Sequence, residues 1–405
     1  MKNLMFLSAA LLAVSPAFAD LSITAPADGT TVSLLADAQK AYLAMPRAER
    51  RVKFADRDYR KNEMGLPAET VAGTKETRMA YWPKTVRLAW TAKDGAACTV
   101  SVKDAKTGAC VYEGTVKGGS MDIDNLEIAA EYEWTVVCGD EKATAQFRTE
   151  DTPLRLVRFP GVPNVRDLGG RMGLGGKRVK QGLVFRSAGL NNNAGPDYYT
   201  KEELERLGRQ DEAKDGKRVV KGQKPGRSRV KGENGEYIRK RFGIKSDIDL
   251  RSDGECYGMT GSPLGESVTW FHYSSSAYGG MQSDKGKEAF KKVFRVFLDR
   301  KNYPIDFHCI AGQDRTGAVA FILNALLGVD EDQLYLDWEV TGFWNRNNEF
   351  NHAKRFDKLV DGFRKNYPAR RSTKASRSTS FRLALRPRTS PRSAALCYNT
   401  FRRHA

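Results

Sequence analysis

Residues 303–328 read YPIDFHCIAGQDRTGAVAFILNALLG. Ile305 and Phe307 alternate into a short buried strand, a loop is predicted from Cys309 to Arg315, and an apolar-rich helix over 316–327 stops at Gly328. Such a succession gathers backbone N–H groups and the positive end of a helix dipole around one point, which binds an anion. Cys309 opens the loop, so its sulfur faces the same field, and that field favours the nucleophilic thiolate. Arg315, six residues on, supplies a planar fork able to hold two phosphate oxygens.

Spacing alone carries no weight. Cys397 and Arg403 repeat it near the chain end. The first copy differs by its surroundings: His308 before the cysteine, Gly312 mid-loop, Thr316 and Gly317 after the arginine.

The run His308-Cys309-x-x-Gly312-x-Asp314-Arg315-Thr316-Gly317 resembles the phosphate-binding loop of the protein tyrosine phosphatase superfamily, and its Asp-Arg pair resembles the bacterial tyrosine/lipid phosphatase branch. Three segments before it match that branch in order. They are Asn164-Val165-Arg166-Asp167-Leu168-Gly169-Gly170, Leu183-Val184-Phe185-Arg186-Ser187-Ala188, and the strand and loop from Ile244 to Ser252 with its Asp249-Leu250-Arg251 signature. Leu336-Asp337-Trp338-Glu339-Val340-Thr341 matches a helix after the site. One departure is Gln313, where many members of the branch carry lysine; it leaves the loop one charge poorer.

The resemblance implies a cysteinyl-phosphate mechanism. Cys309 is the nucleophile, and Arg315 with the amides of Ile310, Ala311, Gly312, Gln313 and Asp314 holds the phosphate oxygens. Asp314 is the implied general acid, with Asp249 at the rim as runner-up and Asp167 third, unless Asp167 orients Arg166 or the loop. Thr316 is expected to bond the sulfur, His308 to buttress the loop, and Arg166 and Arg251 to support it. No metal and no cofactor is called for. The substrate is a phosphorylated protein, lipid or small molecule, including inositol phosphates. A different class, an inactive phosphate-binding adhesion module, is opposed by the intact Cys309, Asp314 and Arg315. Cys256, soon after the Asp-Leu-Arg motif, is a candidate redox partner for Cys309.

Outside this region, 405 residues with 40% hydrophobic and 10% aromatic content suffice for folded cores, so wholesale disorder is excluded. No apolar run is long enough to span a bilayer, and four histidines make a histidine-built metal site implausible. Lys2, the apolar stretch Leu4 to Val14 and Ala17-Phe18-Ala19 read as an export signal over 1–19, so the mature chain is expected in the periplasm or outside the cell.

Period-two runs (Val86, Leu88, Trp90; Val100, Val102; Tyr132, Trp134, Val136) predict an all-β sandwich over 20–152. With Leu126 six residues before a corner-forming Tyr132, that module resembles a fibronectin type III or immunoglobulin domain. It is expected to act as a spacer or to bind a partner. Within it a helix over 36–43 and an Arg-rich insertion fit poorly. Cys98, Cys110 and Cys138 allow three pairings.

The expected architecture is therefore multidomain: the sandwich, then an α/β phosphatase domain over 153–365 whose central sheet is flanked by helices, then a tail over 366–405. A basic insertion about 206–241 has thirteen Lys+Arg against five Asp+Glu, and reads as a solvated loop or a substrate-docking lid. From Arg364 onward there are twelve Lys+Arg and no acid, the composition of a disordered tail. No nucleic-acid motif accompanies that charge, so no nucleic-acid partner is expected.

Overall fold

The computed structural model describes residues 21–366, apart from 57, 60–62, 64–68, 71–76, 79–81, 93–95, 217, 231 and 345–350. The export signal and, from residue 367 on, the basic tail lie outside the described residues. The chain forms two units.

The smaller unit takes Met1–Val32, Val86–Ile123 and Ala130–Arg148. Its strands are β1 (Ser22–Ala25), β2 (Thr30–Val32), β3 (Val86–Thr91), β4 (Ala97–Asp104), β5 (Cys110–Lys117), β6 (Ser120–Ile123), β7 (Glu131–Cys138) and β8 (Glu141–Thr149). They make a three-stranded sheet ordered β1-β3-β6 and a five-stranded sheet ordered β2-β8-β7-β4-β5. The alternation read from the sequence has a direct physical outcome. Val86, Leu88 and Trp90 of β3 are buried, as are Tyr132, Trp134 and Val136 of β7, and Trp90 meets Trp134 with ring centroids 6.4 Å apart. Cys98 and Cys138 face each other across β4 and β7 and are bridged, which leaves Cys110 an exposed thiol. The bridge closes a separation of 40 residues. By chain entropy, Cys98→Ala with Cys138→Ala is expected to cost this unit about 4 kcal/mol in a urea titration; an unmoved midpoint would contradict that.

The larger unit takes the rest. Its first helix, α1 (Asp37–Ala44), agrees with the helix read over 36–43, and α2 (Arg47–Ala55) stands where the sequence suggested an insertion in the β-module. The reason is charge. The buried Arg50 guanidinium bonds Glu339 at 2.9 Å and Asp332 at 2.7 Å, and Tyr42 packs edge-on against Phe343. The Arg-rich run is thus half of an ion-pair lock in this unit rather than an insertion in the β-module.

A six-stranded sheet organises the larger unit. Its strands are β9 (Arg155–Leu156), β10 (Arg166–Asp167), β11 (Val184–Ser187), β14 (Ser246–Asp249), β15 (Thr269–His272) and β16 (Ile305–His308). Their order is β9-β10-β11-β16-β14-β15, with the last four mutually parallel and β9 and β10 antiparallel.

Helices α5 (Asp284–Val296) and α6 (Arg315–Leu326) pack through Phe290, Val293, Ala318 and Val319 with Ile248, Ile305 and Phe307. A second core joins Phe185 to Ile238 and Phe242 of α4 (Glu233–Phe242). This is the expected α/β layering of sheet and helices.

The basic stretch is not a plain loop. It holds the end of α3 (Lys201–Arg206), strand β13 (Val220–Lys224), paired antiparallel with β12 (Gly195–Tyr198), and most of α4. Several of its cations are matched, Lys221 with Glu203 and Lys224 with Asp197. Helices α7 (Glu331–Glu339) and α8 (Asn351–Asn366) complete the unit.

Candidate active site

Ser187, His308, Asp249 and His272 lie side by side at the carboxyl ends of the parallel strands, the edge at which open α/β sheets bind ligands. Beyond His308 the chain leaves β16, loops through 309–314 and enters α6 at Arg315. Each carbonyl of that loop is tied down. Ile310 O accepts from Gly189 N (3.1 Å), Ala311 O from Asn164 Nδ2 (2.8 Å) and Gly312 O from Arg186 Nη2. Gln313 O and Asp314 O accept from Gly317 N and Ala318 N, both at 2.9 Å. In a trans peptide the N–H points opposite the C=O. The amides of residues 311–315 therefore turn away from those anchors, toward the concave side of the loop. Gly312 makes the turn at φ 66°, and a Cβ there would lie 2.3 Å from Ser187 O.

Two of the anchors depend on one carboxylate, Arg186 directly and Asn164 through Arg166. Asp337, on α7, receives Arg166 Nε (3.2 Å), Arg171 Nη2 (2.7 Å) and Arg186 Nη1, all buried. Burial alone would raise the Asp337 pKa; the guanidinium charges outweigh it and hold the carboxyl far below the usual range. Arg166 is oriented by Asp337 and by Asn164 Oδ1 (2.6 Å), not by Asp167 as one implied role had it. The fully buried Asp167 instead accepts from Arg155 Nη1, Gly169 N and Gly182 N at 2.9, 2.7 and 2.6 Å, which makes it a turn-holding residue.

Beneath the loop a polar face of the sheet is sealed from water. His308 pairs with Asp247 at 3.0 Å and lies 3.8 Å from Asp249, consistent with a buttress. Burial lowers its pKa, and the charges of Asp249 and Asp247 overcome that, raising it to about 9. On the neighbouring Asp306, burial pushes the carboxyl up to about 7. Asp249 is not at the rim. It is fully buried, and Arg251 reaches both its oxygens through Nε (2.9 and 3.1 Å). Burial acts to raise its pKa, but His308 and Arg251 keep it ionised, a poor state for a proton donor. Cys256 and Cys309 are both free; the Cys256 thiol contacts Asp249 Oδ2 (3.2 Å), and burial with that carboxylate pushes it up to about 12.

The open side is a cleft of about 630 Å³ lined by Asp314, Arg315, Tyr278, Glu255, Ser252 and Arg355 among others. Cys309 is only 2% exposed, and its sulfur is close enough to the Arg315 guanidinium to help raise the Arg315 pKa. Glu255 clamps Arg315 through both oxygens, at 2.7 and 3.1 Å, and is braced by Ser252 N and Oγ. Burial raises the Glu255 pKa, but Arg315 and Ser252 take it down to about 2. The Tyr278 hydroxyl donates to Asp314 Oδ1. The Thr316 hydroxyl is buried with no hydrogen-bond partner among the described residues, and Gln313 is buried too.

Sequence reading missed Glu255, and it missed the roles of Tyr278, which with Tyr273 suggested only an aromatic loop, and of Asp337, which lay inside a matched segment.

A His308 pKa raised from 6.5 to about 9 contributes stability fully present below pH 6.5 and lost as pH rises through 9. The thermal midpoint is expected to fall between pH 7 and 9, and His308→Asn to flatten that slope; equal slopes would refute it. Asp337→Asn, which strands buried arginines, is expected to cost at least about 3 kcal/mol in chemical denaturation.

Comparison with known proteins agrees with this geometry. The profile described as "Tyrosine phosphatase family" matches residues 157–209 and 212–387, more than half of the chain. A protein of Cupriavidus necator that bears a tyrosine-protein phosphatase name is 30% identical over 195 residues, which cover 48% of this chain and 65% of that relative. Among the described residues no helix is long and apolar enough to cross a membrane, and no group of three or more His, Cys, Asp or Glu could hold a metal ion. A loop with its carbonyls anchored and its cysteine beside an arginine, together with a profile match across most of the sheet, leads to one conclusion: the chain belongs to the tyrosine phosphatase family.

Proposed function

We infer that the protein is a cysteine-dependent phosphatase of the bacterial tyrosine/lipid branch, hydrolysing phosphate monoesters of phosphotyrosine or other phosphoproteins, or of phosphoinositides. The observation that carries this reading is the set of tied carbonyls at 310–314, with Arg315 clamped by Glu255 on the wall of the cleft they face. Five convergent amides and a guanidinium match the equatorial oxygens of a transferring phosphoryl group.

In the first step the Cys309 sulfur attacks phosphorus, the P–S bond forms and the ester P–O bond breaks. The Asp314 carboxyl gives its proton to the departing oxygen. In the second step the Asp314 carboxylate takes a proton from water as the water oxygen bonds phosphorus. The P–S bond breaks, and inorganic phosphate and the thiolate are released. Asp314 suits this task because it lines the cleft, whereas Asp249 is buried in its pair with Arg251. The bond from Thr316 to the sulfur expected from the sequence is not made, since its buried hydroxyl has no hydrogen-bond partner among the described residues. Glu255 occupies the Nη1–Nη2 end of the Arg315 fork, which leaves its Nε side to meet phosphate oxygens.

The Leu4–Val14 stretch and the Ala17-Phe18-Ala19 ending support export, to the periplasm or beyond. The two antiparallel sheets meeting at Trp90 and Trp134 support a fibronectin type III-like sandwich, read as a spacer or partner-binding module.

The test is turnover of an aryl phosphate. Cys309→Ser is expected to abolish turnover while retaining vanadate or phosphate binding. Asp314→Asn is expected to lose about 10²-fold or more in kcat/KM on poor leaving groups. Turnover that survives in Cys309→Ser, or that disappears with chelators, would sink the reading.

A further inference from the structure

We propose that Tyr278 is a positioning residue for proton transfer, fixing through its hydroxyl which oxygen of Asp314 carries the proton to the leaving group. This rests on the reading of Asp314 as the acid.

The starting observation is backbone geometry. Tyr278 has φ 51°, in the left-handed region that a bulky side chain enters only at a cost in free energy. Gly279 and Gly280 follow it immediately, so the chain has residues suited to that conformation one position away. A tyrosine held there must be compensated by its side chain. The ring is 7% exposed and packs in the core cluster that includes Cys309, Ala318 and Trp338. Its hydroxyl donates to Asp314 Oδ1 on the wall of the cleft that also holds Arg315. The left-handed turn is what aims the ring inward at the loop.

The chemistry follows from one hydrogen bond. When Asp314 is a neutral acid, an Oδ1 occupied by the Tyr278 donor leaves Oδ2 as the proton carrier. One of two chemically equal oxygens is thereby singled out. When Oδ2 has given its proton to the ester oxygen, the same phenol is a charge-assisted donor to the new carboxylate. Oδ2 then takes a proton back from the attacking water. Tyr278 keeps its own proton throughout, since burial and the neighbouring Asp314 charge both push its pKa well above the ordinary tyrosine value. It never exchanges a proton with substrate; it acts through Asp314.

The experiment measures kcat/KM of the full chain on a series of aryl phosphates from good to poor leaving groups. It compares wild type, Tyr278→Phe, Asp314→Asn and the double variant. Phe keeps the ring and removes only the donor. Tyr278→Phe is expected to lose about 10-fold on phenyl phosphate and less than about 3-fold on p-nitrophenyl phosphate, a fraction of what general-acid catalysis supplies. Vanadate inhibition should stay within about 2-fold. On the Asp314→Asn background the same change should cost nothing further.

An equal loss across the whole series, or no loss, overturns the role of Tyr278. So does a further loss in the double variant. A series in which Asp314→Asn itself fails to steepen the leaving-group dependence sinks the acid assignment as well. A steep Asp314→Asn series beside a flat Tyr278→Phe series removes Tyr278 alone. If the Phe variant fails to fold, 3,5-difluorotyrosine at 278, which changes donor strength and keeps shape, serves in its place; an unaltered leaving-group slope then overturns the proposal.

Discussion

Everything at the site depends on where the carbonyl oxygens of residues 310–314 go. A six-residue loop has no intrinsic reason to turn its amides to one side. It does so because Gly189 N, Asn164 Nδ2 and Arg186 Nη2 seize the first three carbonyls from behind, while the first turn of α6 takes the other two. These donors come from chain segments more than a hundred residues upstream. The loop is therefore a product of tertiary structure, built by the strands beneath it, although its sequence advertises it so plainly.

The arrangement places several cations under an anion site, and that is costly. Three guanidiniums buried near one another repel, and burial together with the Arg186 and Arg171 charges lowers the Arg166 pKa to about 9 despite its acidic partner. Asp337 makes the cluster tolerable by accepting from all three. A phosphate ester entering the cleft meets a field already set, with little left to reorganise. On the far side of the loop, Glu255 plays the opposite part, drawing the Arg315 fork into a fixed plane.

What the sequence made legible, and what it did not, divides along contact distance. Strand, loop and helix around Cys309 were readable because period-two and helical patterns are local. The alternating strands of the smaller unit were readable for the same reason. The identities of Asp249 and Asp167 were equally plain, but their roles were not, because a carboxylate's function is set by its partners. Arg251 and three backbone or guanidinium donors decide those roles, and no spacing rule reveals them. The Arg50 stretch misled in the same way: composition resembles a solvated insertion until Glu339, nearly 290 residues away, is seen to receive it. Tyr278 carries a sharper version of the problem, since a left-handed tyrosine has no sequence signal.

The way the two units share the chain has a practical corollary for anyone dissecting the protein. The smaller unit is made of three separate stretches, with residues 33–85 and 124–129 assigned to the larger one between them. A polypeptide begun at residue 153 would keep the whole phosphate loop and still lack Arg50, Tyr42 and Leu43. It would leave Glu339 buried with its guanidinium gone and Phe343 without its aromatic neighbour. Excision at the apparent sandwich boundary would damage the part it was meant to isolate.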